Sequence, residues 1–343
     1  MLLRGRQILD LQHLVIEALL DPATYPEETG KVELVQTHIS LVFLTDKFAY
    51  KVKKAVNFGF LDFSTLEKRR GYCQKELELN KRLCPKIYLD VVSINKGNSL
   101  RINGDGPPVE FALKMKRLPQ EKIMTELLKE DKVDKKIIDD LAKLVASFHL
   151  KAQTSSEINQ FGSPAIIKEN WQENFAQTEK YVGLTIPKSV FENIQKQINS
   201  FIEAKCLLLQ NRIDNSRIRD CHGDLHSGNI FIADDICIFD AIEFNDRFRY
   251  SDVAADVAFL AMDLDYQNKP DFSEYFIERY VAYSGDNQLV GVLTFYKCYR
   301  AYVRGKVVSF RLDDPNIKPS EKEASMEEAE SYFKLSEKYA ERL

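Results

Sequence analysis

The hydrophobic pattern of this chain changes period near residue 120, and no other feature constrains its fold as strongly. Before that point apolar residues come in short β-branched and aromatic runs. "KVELVQTHISLVFLTDKFAYKVKKAV" (31–56) holds three of them, with turns near Gln36–His38 and Thr45–Lys47. "STLEKRRGYCQKELELNKRL" (64–83) then reads as a helix. Two further strands follow, "IYLDVVSI" and, after the turn-forming "NGDGPP", "VEFALKMKRL". Five strands with one helix inserted after the third make an α+β unit. Beyond residue 120 the period is helical: "DKKIIDDLAKLVASFHLKAQ" (134–153) sets Ile137, Ile138, Leu141, Leu144, Val145 and Phe148 on one face. The expectation is a β-rich N-terminal lobe over 1–115, a mainly helical C-terminal lobe over 116–343, and a cleft between them.

The chain has 343 residues, 44% hydrophobic and 29% charged, with a net charge of −4, so nothing in its overall charge favours nucleic acid as a partner. Its six cysteines are scattered without a CxxC pair and read as reduced, mostly buried thiols of a cytoplasmic protein. The opening "MLLRGRQILDLQHLVIEALLD" is too interrupted by Arg, Asp and Glu for a signal peptide. Its Leu11, Leu14, Val15, Ala18 and Leu19 fit a surface helix. The apolar run "VAFLAM" (257–262) is far too short for a membrane span, so no membrane association is expected. Near the end, Ser320 and Glu323 form a capping box for a charged last helix, and Trp171 reads as core.

"CHGDLHSGNIFI" (221–232) concentrates polar groups of fixed type. Asp224 and Asn229 stand five positions apart, and Asp240 closes the next apolar segment, "ICIFD". A loop, a short hairpin and a second acidic residue arrive at one edge. Phosphoryl transfer needs such a set: one carboxylate accepts the proton of a substrate hydroxyl, while an amide and a second carboxylate hold Mg²⁺ on the phosphates. A polar turn between strands, or a metal-hydrolase site on His222, Asp224 and His226, are the competing explanations. The chain has only five histidines, and no second histidine-rich motif completes a metal sphere.

"HGDLHSGN" resembles the catalytic loop of the aminoglycoside phosphotransferase and choline kinase-like family, in which HGD replaces the HRD of protein kinases, and "IFDAIEF" takes the place of the metal-binding DFG segment. The resemblance spans about residues 32–310. It implies a protein-kinase-like two-lobed fold, ATP and Mg²⁺ as cofactors, and a small-molecule acceptor with a hydroxyl group. Asp224 would be the base, with His222 in the loop hydrogen-bonding its backbone, and Asn229 and Asp240 the metal ligands. By resemblance to the family's third strand, Lys51 meets the phosphates, with Lys53 as fallback on the same face of "FAYKVKKAV". By the same resemblance Glu76 sits where the family's lysine-pairing glutamate would, a role Glu78, about 200° around the helix, cannot share; the other reading is an exposed helical glutamate. Backbone groups near Met115–Arg117 would meet the adenine.

A glycine-rich phosphate loop is missing, which leaves Thr37, His38 and Ser40 as candidates there. Asp256 resembles the helix aspartate that braces the loop. Glu243 and Arg247 either face the acceptor or are solvated charges. Arg300, Arg304 and Lys306 either bind an anionic substrate or sit on a helix packing its aromatic face inward. "FGFLDFSTLEKRR" and "YRAYVRGK" look like a branch often fused to a P-loop ATPase-like domain. No GxxxxGK[ST] occurs, so the resemblance implies the kinase-like half alone, with a P-loop ATPase-like partner protein. The alternative function is a nucleotide-binding, pseudokinase-like regulatory module without turnover.

Overall fold

Helix α1 (Leu2–Leu20) leads into β1 (Glu33–Gln36), β2 (Ser40–Leu44) and β3 (Phe48–Lys53), which occupy the three apolar runs. Each intervening turn is closed by a threonine: Thr37 Oγ1 accepts from the Ser40 N–H at 3.0 Å, and Thr45 Oγ1 from the Phe48 N–H at 3.1 Å. Then come α2 (Leu66–Lys81), β4 (Tyr88–Lys96), β5 (Leu100–Ile102) and β6 (Pro108–Lys116). The sheet is antiparallel in the order β1-β2-β3-β6-β4-β5. It has six strands rather than the expected five. The extra one, β5, is three residues long and lies in the turn-rich "GNSLRING", where alternation has no room to show.

The remaining helices up to the motif are α3 (Met124–Lys129), α4 (Lys135–Lys151), α5 (Ser156–Asn159), α6 (Pro164–Thr178), α7 (Lys188–Ala204) and α8 (Cys206–Asp214). Three short strands follow, β7 (Ile218–Asp220), β8 (Ile230–Ile232) and β9 (Ile236–Ile238). Next are α9 (Asp246–Arg249), β10 (Tyr250–Asp252), α10 (Val253–Tyr266), α11 (Pro270–Ser284), α12 (Val290–Ser309) and α13 (Pro319–Ala340). The computed structural model describes residues 2–59, 61–315 and 317–343. They form two units: 1–122 with 231–246, and 123–230 with 247–343.

In the first unit, alternation along β3 sends Tyr50 and Val52 into a core shared with Leu41, Phe43, Ile94, Ile102 and the α1 residues Val15 and Leu19. Lys51 and Lys53 therefore emerge on the opposite face, where α2 packs. Thr65 caps α2 by accepting from the Lys68 N–H at 3.2 Å. Arg69, Cys73, Glu76 and Asn80 recur at helical spacing on its buried face. The segment 231–246 belongs to this unit: Phe231 and Cys237 pack with Leu77, Tyr88 and Leu113. Cys84 and Cys237, 153 residues apart, are joined as a disulfide with a Cα separation of 4.9 Å. This corrects the expectation of reduced thiols for these two, while Cys73, Cys206, Cys221 and Cys298 form no disulfide and all but Cys206 are buried. Scatter along a chain says nothing about which cysteines meet in space.

In the second unit, α4 buries Ile138, Leu141, Val145 and Phe148 as its period predicts, and Asp134 caps it by accepting from the Ile137 N–H at 2.8 Å. Trp171 is core, stacked on Phe175 with centroids 5.3 Å apart. Helix α13 begins at Pro319, so Ser320 lies inside the first turn and the expected capping box does not form. Among the described residues no helix is long and apolar enough to cross a membrane.

Candidate active site

The first unit gathers Lys51, Lys53, Glu76 and Asp240. Because the two lysines alternate with core residues on β3, both reach the face that α2 covers, and Glu76 bridges them. Lys51 Nζ donates to Glu76 Oε1 at 2.8 Å, and Lys53 Nζ to Glu76 Oε2 at 2.7 Å. Lys51 Nζ also donates to Asp240 Oδ1 at 2.7 Å. Burial alone would raise the Glu76 carboxyl, but the two ammoniums outweigh it and hold the group down at about 2. Burial would lower the Lys51 ammonium, yet Asp240, Glu76 and Glu243 together keep it well above the usual lysine value. Asp240 takes a left-handed backbone, φ 64°, and its N–H donates to Tyr88 Oη at 3.2 Å. The next N–H, of Ala241, donates to Asn80 Oδ1 at 2.9 Å.

Glu243 is the site residue that sequence reasoning misplaced. It was expected to face the acceptor or solvent, but it is buried and paired with Lys53. No local pattern signals this, since 190 positions separate the two residues. Met115 and Arg117 lie outside the cluster. Met115 packs against the Leu77–Tyr88–Leu113 group. The Lys116 N–H donates to Ile87 O at 3.0 Å and the Arg117 N–H to Lys47 O at 2.9 Å, and the Arg117 guanidinium holds Thr45 O at 2.9 Å. Thr37 and Ser40 serve the β1–β2 turn, His38 lies within it, and Lys54 Nζ donates to Thr37 O at 2.6 Å.

The second unit gathers His222, Asp224 and Asn229. The loop is tight: the Asp224 N–H donates to His222 Nδ1 at 3.3 Å, and the Gly228 N–H to His226 Nδ1 at 3.1 Å. Asn229 Nδ2 donates both to Asp224 O at 3.0 Å and to Asp224 Oδ2 at 2.9 Å, which fixes the carboxylate. His226 Nε2 stands 3.5 Å from Asp224 Oδ2. Burial works to raise the Asp224 carboxyl, but His226, Arg304 and His222 hold it well below the usual carboxylate range. Each loop histidine spends its Nδ1 on a backbone N–H, which is how loop members behave and not how a hydrolase metal sphere is built.

Asp256, on α10, anchors this loop from behind. Its Oδ2 accepts from the His222 N–H at 2.7 Å and its Oδ1 from the Gly223 N–H at 2.9 Å. Its Oδ2 also lies 3.3 Å from His149 Nε2, and His149 Nδ1 lies 2.9 Å from Tyr280 Oη. His149, Cys221 and Asp256 bring ligand-type atoms within 4.8 Å of one another, but His149 and Asp256 are already used as a brace and Cys221 Sγ donates to Ser251 O at 3.4 Å. Asp263 extends the anchoring, accepting from the Ser227 N–H at 2.8 Å. Arg300 contributes as well, donating to Gly223 O at 2.9 Å and to Ala255 O at 3.1 Å. Arg300 is thus a loop support. Arg304 lies over the Tyr332 ring at 5.4 Å, and Lys306 donates to Asn174 and Gln177 at 2.6 and 2.7 Å. Arg247 binds Asn170 Oδ1 at 2.8 Å and pairs with Glu173.

Burial would raise the Asp256 carboxyl, yet His149, His222 and Arg300 hold it at about 2, below an ordinary value near 4. A depressed pKa stabilises the fold above the unfolded value, and that contribution disappears as pH falls toward 2. Asp256→Asn is expected to lower the thermal midpoint at pH 7 by an amount corresponding to roughly 2 kcal/mol. The gap to the parent should close between pH 4 and 2 in calorimetric scans. A gap independent of pH would remove Asp256's charge from the account.

Residues 71–289 match the model of a family described as the phosphotransferase enzyme family, APH. An uncharacterized protein of Mycobacterium tuberculosis is 31% identical over 281 residues, which cover 82% of this chain and 55% of that protein. A Mycobacterium bovis protein, also uncharacterized, matches to the same extent. The chain thus spans about half the length of the curated relatives it matches. Among solved structures, a choline/ethanolamine kinase family protein of Mesorhizobium loti aligns with a TM-score of 0.52 over 96% of this chain and 100% of its own, at 11% identity. That likeness is one of fold, and it agrees with the protein-kinase-like, two-lobed α+β class expected from the sequence.

Proposed function

This chain belongs to the phosphotransferase enzyme family, and from that premise we propose that it transfers the γ-phosphate of ATP to a hydroxyl of a small-molecule acceptor. The observation that carries the reading is the Asp224–Asn229 pairing inside a loop braced through its backbone by Asp256. A carboxylate held ionised and immobile is suited to aim a hydroxyl and take its proton as the new bond to phosphorus forms. Lys51 offers its ammonium to the nucleotide's phosphates, and Glu76 holds that ammonium in place. Backbone and apolar groups around Met115 would receive the adenine, the Lys116 and Arg117 N–H groups being already engaged.

Asp240 and Asn229 each carry a donor of the kind Mg²⁺ takes. Asp240 supplies a carboxylate, and Asn229, whose amide nitrogen is committed to Asp224, has an amide oxygen to offer. Both are the hard oxygen donors this ion takes. When bound, Mg²⁺ supplies neutralisation of phosphate charge. The reading sets the reaction in the cytoplasm. It keeps a P-loop ATPase-like partner protein, as the resemblance of "FGFLDFSTLEKRR" and "YRAYVRGK" implies.

ATP with Mg²⁺ is expected to raise the thermal midpoint, by an amount equivalent to about 2.7 kcal/mol at a hundred times the dissociation constant. Asp240→Asn should remove most of the Mg²⁺-dependent part. Acceptor-stimulated ADP release across a panel of sugars, amino-alcohols and aminoglycosides would then identify the acceptor. A midpoint unmoved by millimolar ATP would defeat the proposal.

A further inference from the structure

We propose that Lys53 and Glu243 are a positioning pair for this transfer, holding the Glu76 carboxylate so that Lys51 alone presents its ammonium to the phosphates. The inference rests on the phosphotransferase reading above and concerns two residues that reading leaves without a role.

The five charged groups form an alternating line: Asp240, Lys51, Glu76, Lys53, Glu243. Its two ends differ. At one end the Lys51 side chain is 16% exposed and its partner Asp240 45%; at the other Lys53 and Glu243 are 1% and 6% exposed. The ammonium of Lys53 also lies 4.8 Å from the centre of the Phe63 ring, which closes that end. Lys53 therefore has no path to a phosphate, while Lys51 has one. Glu76 gives a separate oxygen to each lysine, so the second lysine fixes the plane of the carboxylate that the first one leans on.

Charge explains why the buried end is ionic. Three carboxylates face two ammoniums, with Tyr88 and Cys73 the other titratable groups against the cluster. Without Lys53, a single ammonium would answer all three carboxylates. Lys51 would then be held more firmly on Glu76 and Asp240, and less available to an incoming phosphate. Stability alone does not call for this arrangement, because well-packed apolar groups replace buried ion pairs with little loss.

The test compares Lys51→Met, Lys53→Met, Glu243→Gln and the double variant Lys53→Met/Glu243→Gln in the full chain. Each is measured for thermal midpoint and for affinity toward Mg²⁺–ADP by titration calorimetry. The double variant removes the buried charge with its partner, so it remains informative where Lys53→Met alone fails to fold. Its midpoint should stay near the parent's while its affinity falls roughly 10-fold or more, as supporting partners of a binding group typically cost. Glu243→Gln, which keeps an acceptor for Lys53, should lose less, and Lys51→Met should lose most. Parent-like affinity in the double variant would make the pair purely structural and overturn the inference. So would parent-like affinity in Lys51→Met beside lost affinity in Lys53→Met, since Lys53 would then be the phosphate contact. A parent that binds no nucleotide would instead bring down the phosphotransferase reading, and this inference with it.

Discussion

Asp224→Asn is expected to cut turnover by roughly 10²-fold or more while leaving nucleotide affinity nearly unchanged. The substitution is close to isosteric, and the loop that holds the side chain is fixed through other atoms. The Asp224 N–H still meets His222, and Asp256 still binds the backbone at 222 and 223. What disappears is a full negative charge, because the carboxyl is held well below the usual range and is ionised at any working pH. The proposal gives that charge to the acceptor's proton and none of it to the phosphates, so its loss falls on rate. Lys51→Ala should behave differently, weakening affinity and rate together, since a phosphate contact acts in ground and transition states alike. Slow ATP hydrolysis, with water as acceptor, makes the comparison possible before the natural acceptor is known. Equal hydrolysis rates in Asp224→Asn and parent would favour the regulatory module without turnover.

Glu76→Leu should strongly destabilise the first unit, costing roughly 3–5 kcal/mol. It removes the one carboxylate that Lys51 and the buried Lys53 share, and it leaves Lys53 with Glu243 alone. The loss should appear as a lower urea midpoint with an unchanged slope. It should shrink in acid, because a carboxyl held at about 2 contributes fully above pH ~4 and less as pH falls below that. A loss under about 1 kcal/mol would mean that these contacts exchange freely with water.

Local regularity made part of this legible in the sequence. The period of α4 and the three β runs of residues 31–56 follow from alternation and helical spacing, which short windows reveal. Lys51 and Lys53 could be put on one face because strand side chains alternate. Deciding which of them is buried depends on what lies opposite, and Glu243 is contributed from 190 positions away. Arg300 illustrates the same limit. Its helix face is periodic, but only the fold shows that the facing surface is the Gly223 carbonyl and not a ligand. The disulfide between Cys84 and Cys237 and the short β5 escaped because neither leaves a local trace.

The left-handed backbone at Asp240 narrows the residue alphabet at that position. A side chain in this region costs roughly 1–2 kcal/mol, with glycine exempt and Asn and Asp the usual exceptions. Those three meet the main chain at least cost, and only one of them carries the charge that meets Lys51. Conformation and chemistry act as independent filters, and aspartate is the residue that meets both at low cost. Drift at residue 240 is therefore penalised twice over: most exchanges add backbone strain to the loss of charge, and the two that avoid the strain, asparagine and glycine, arrive uncharged.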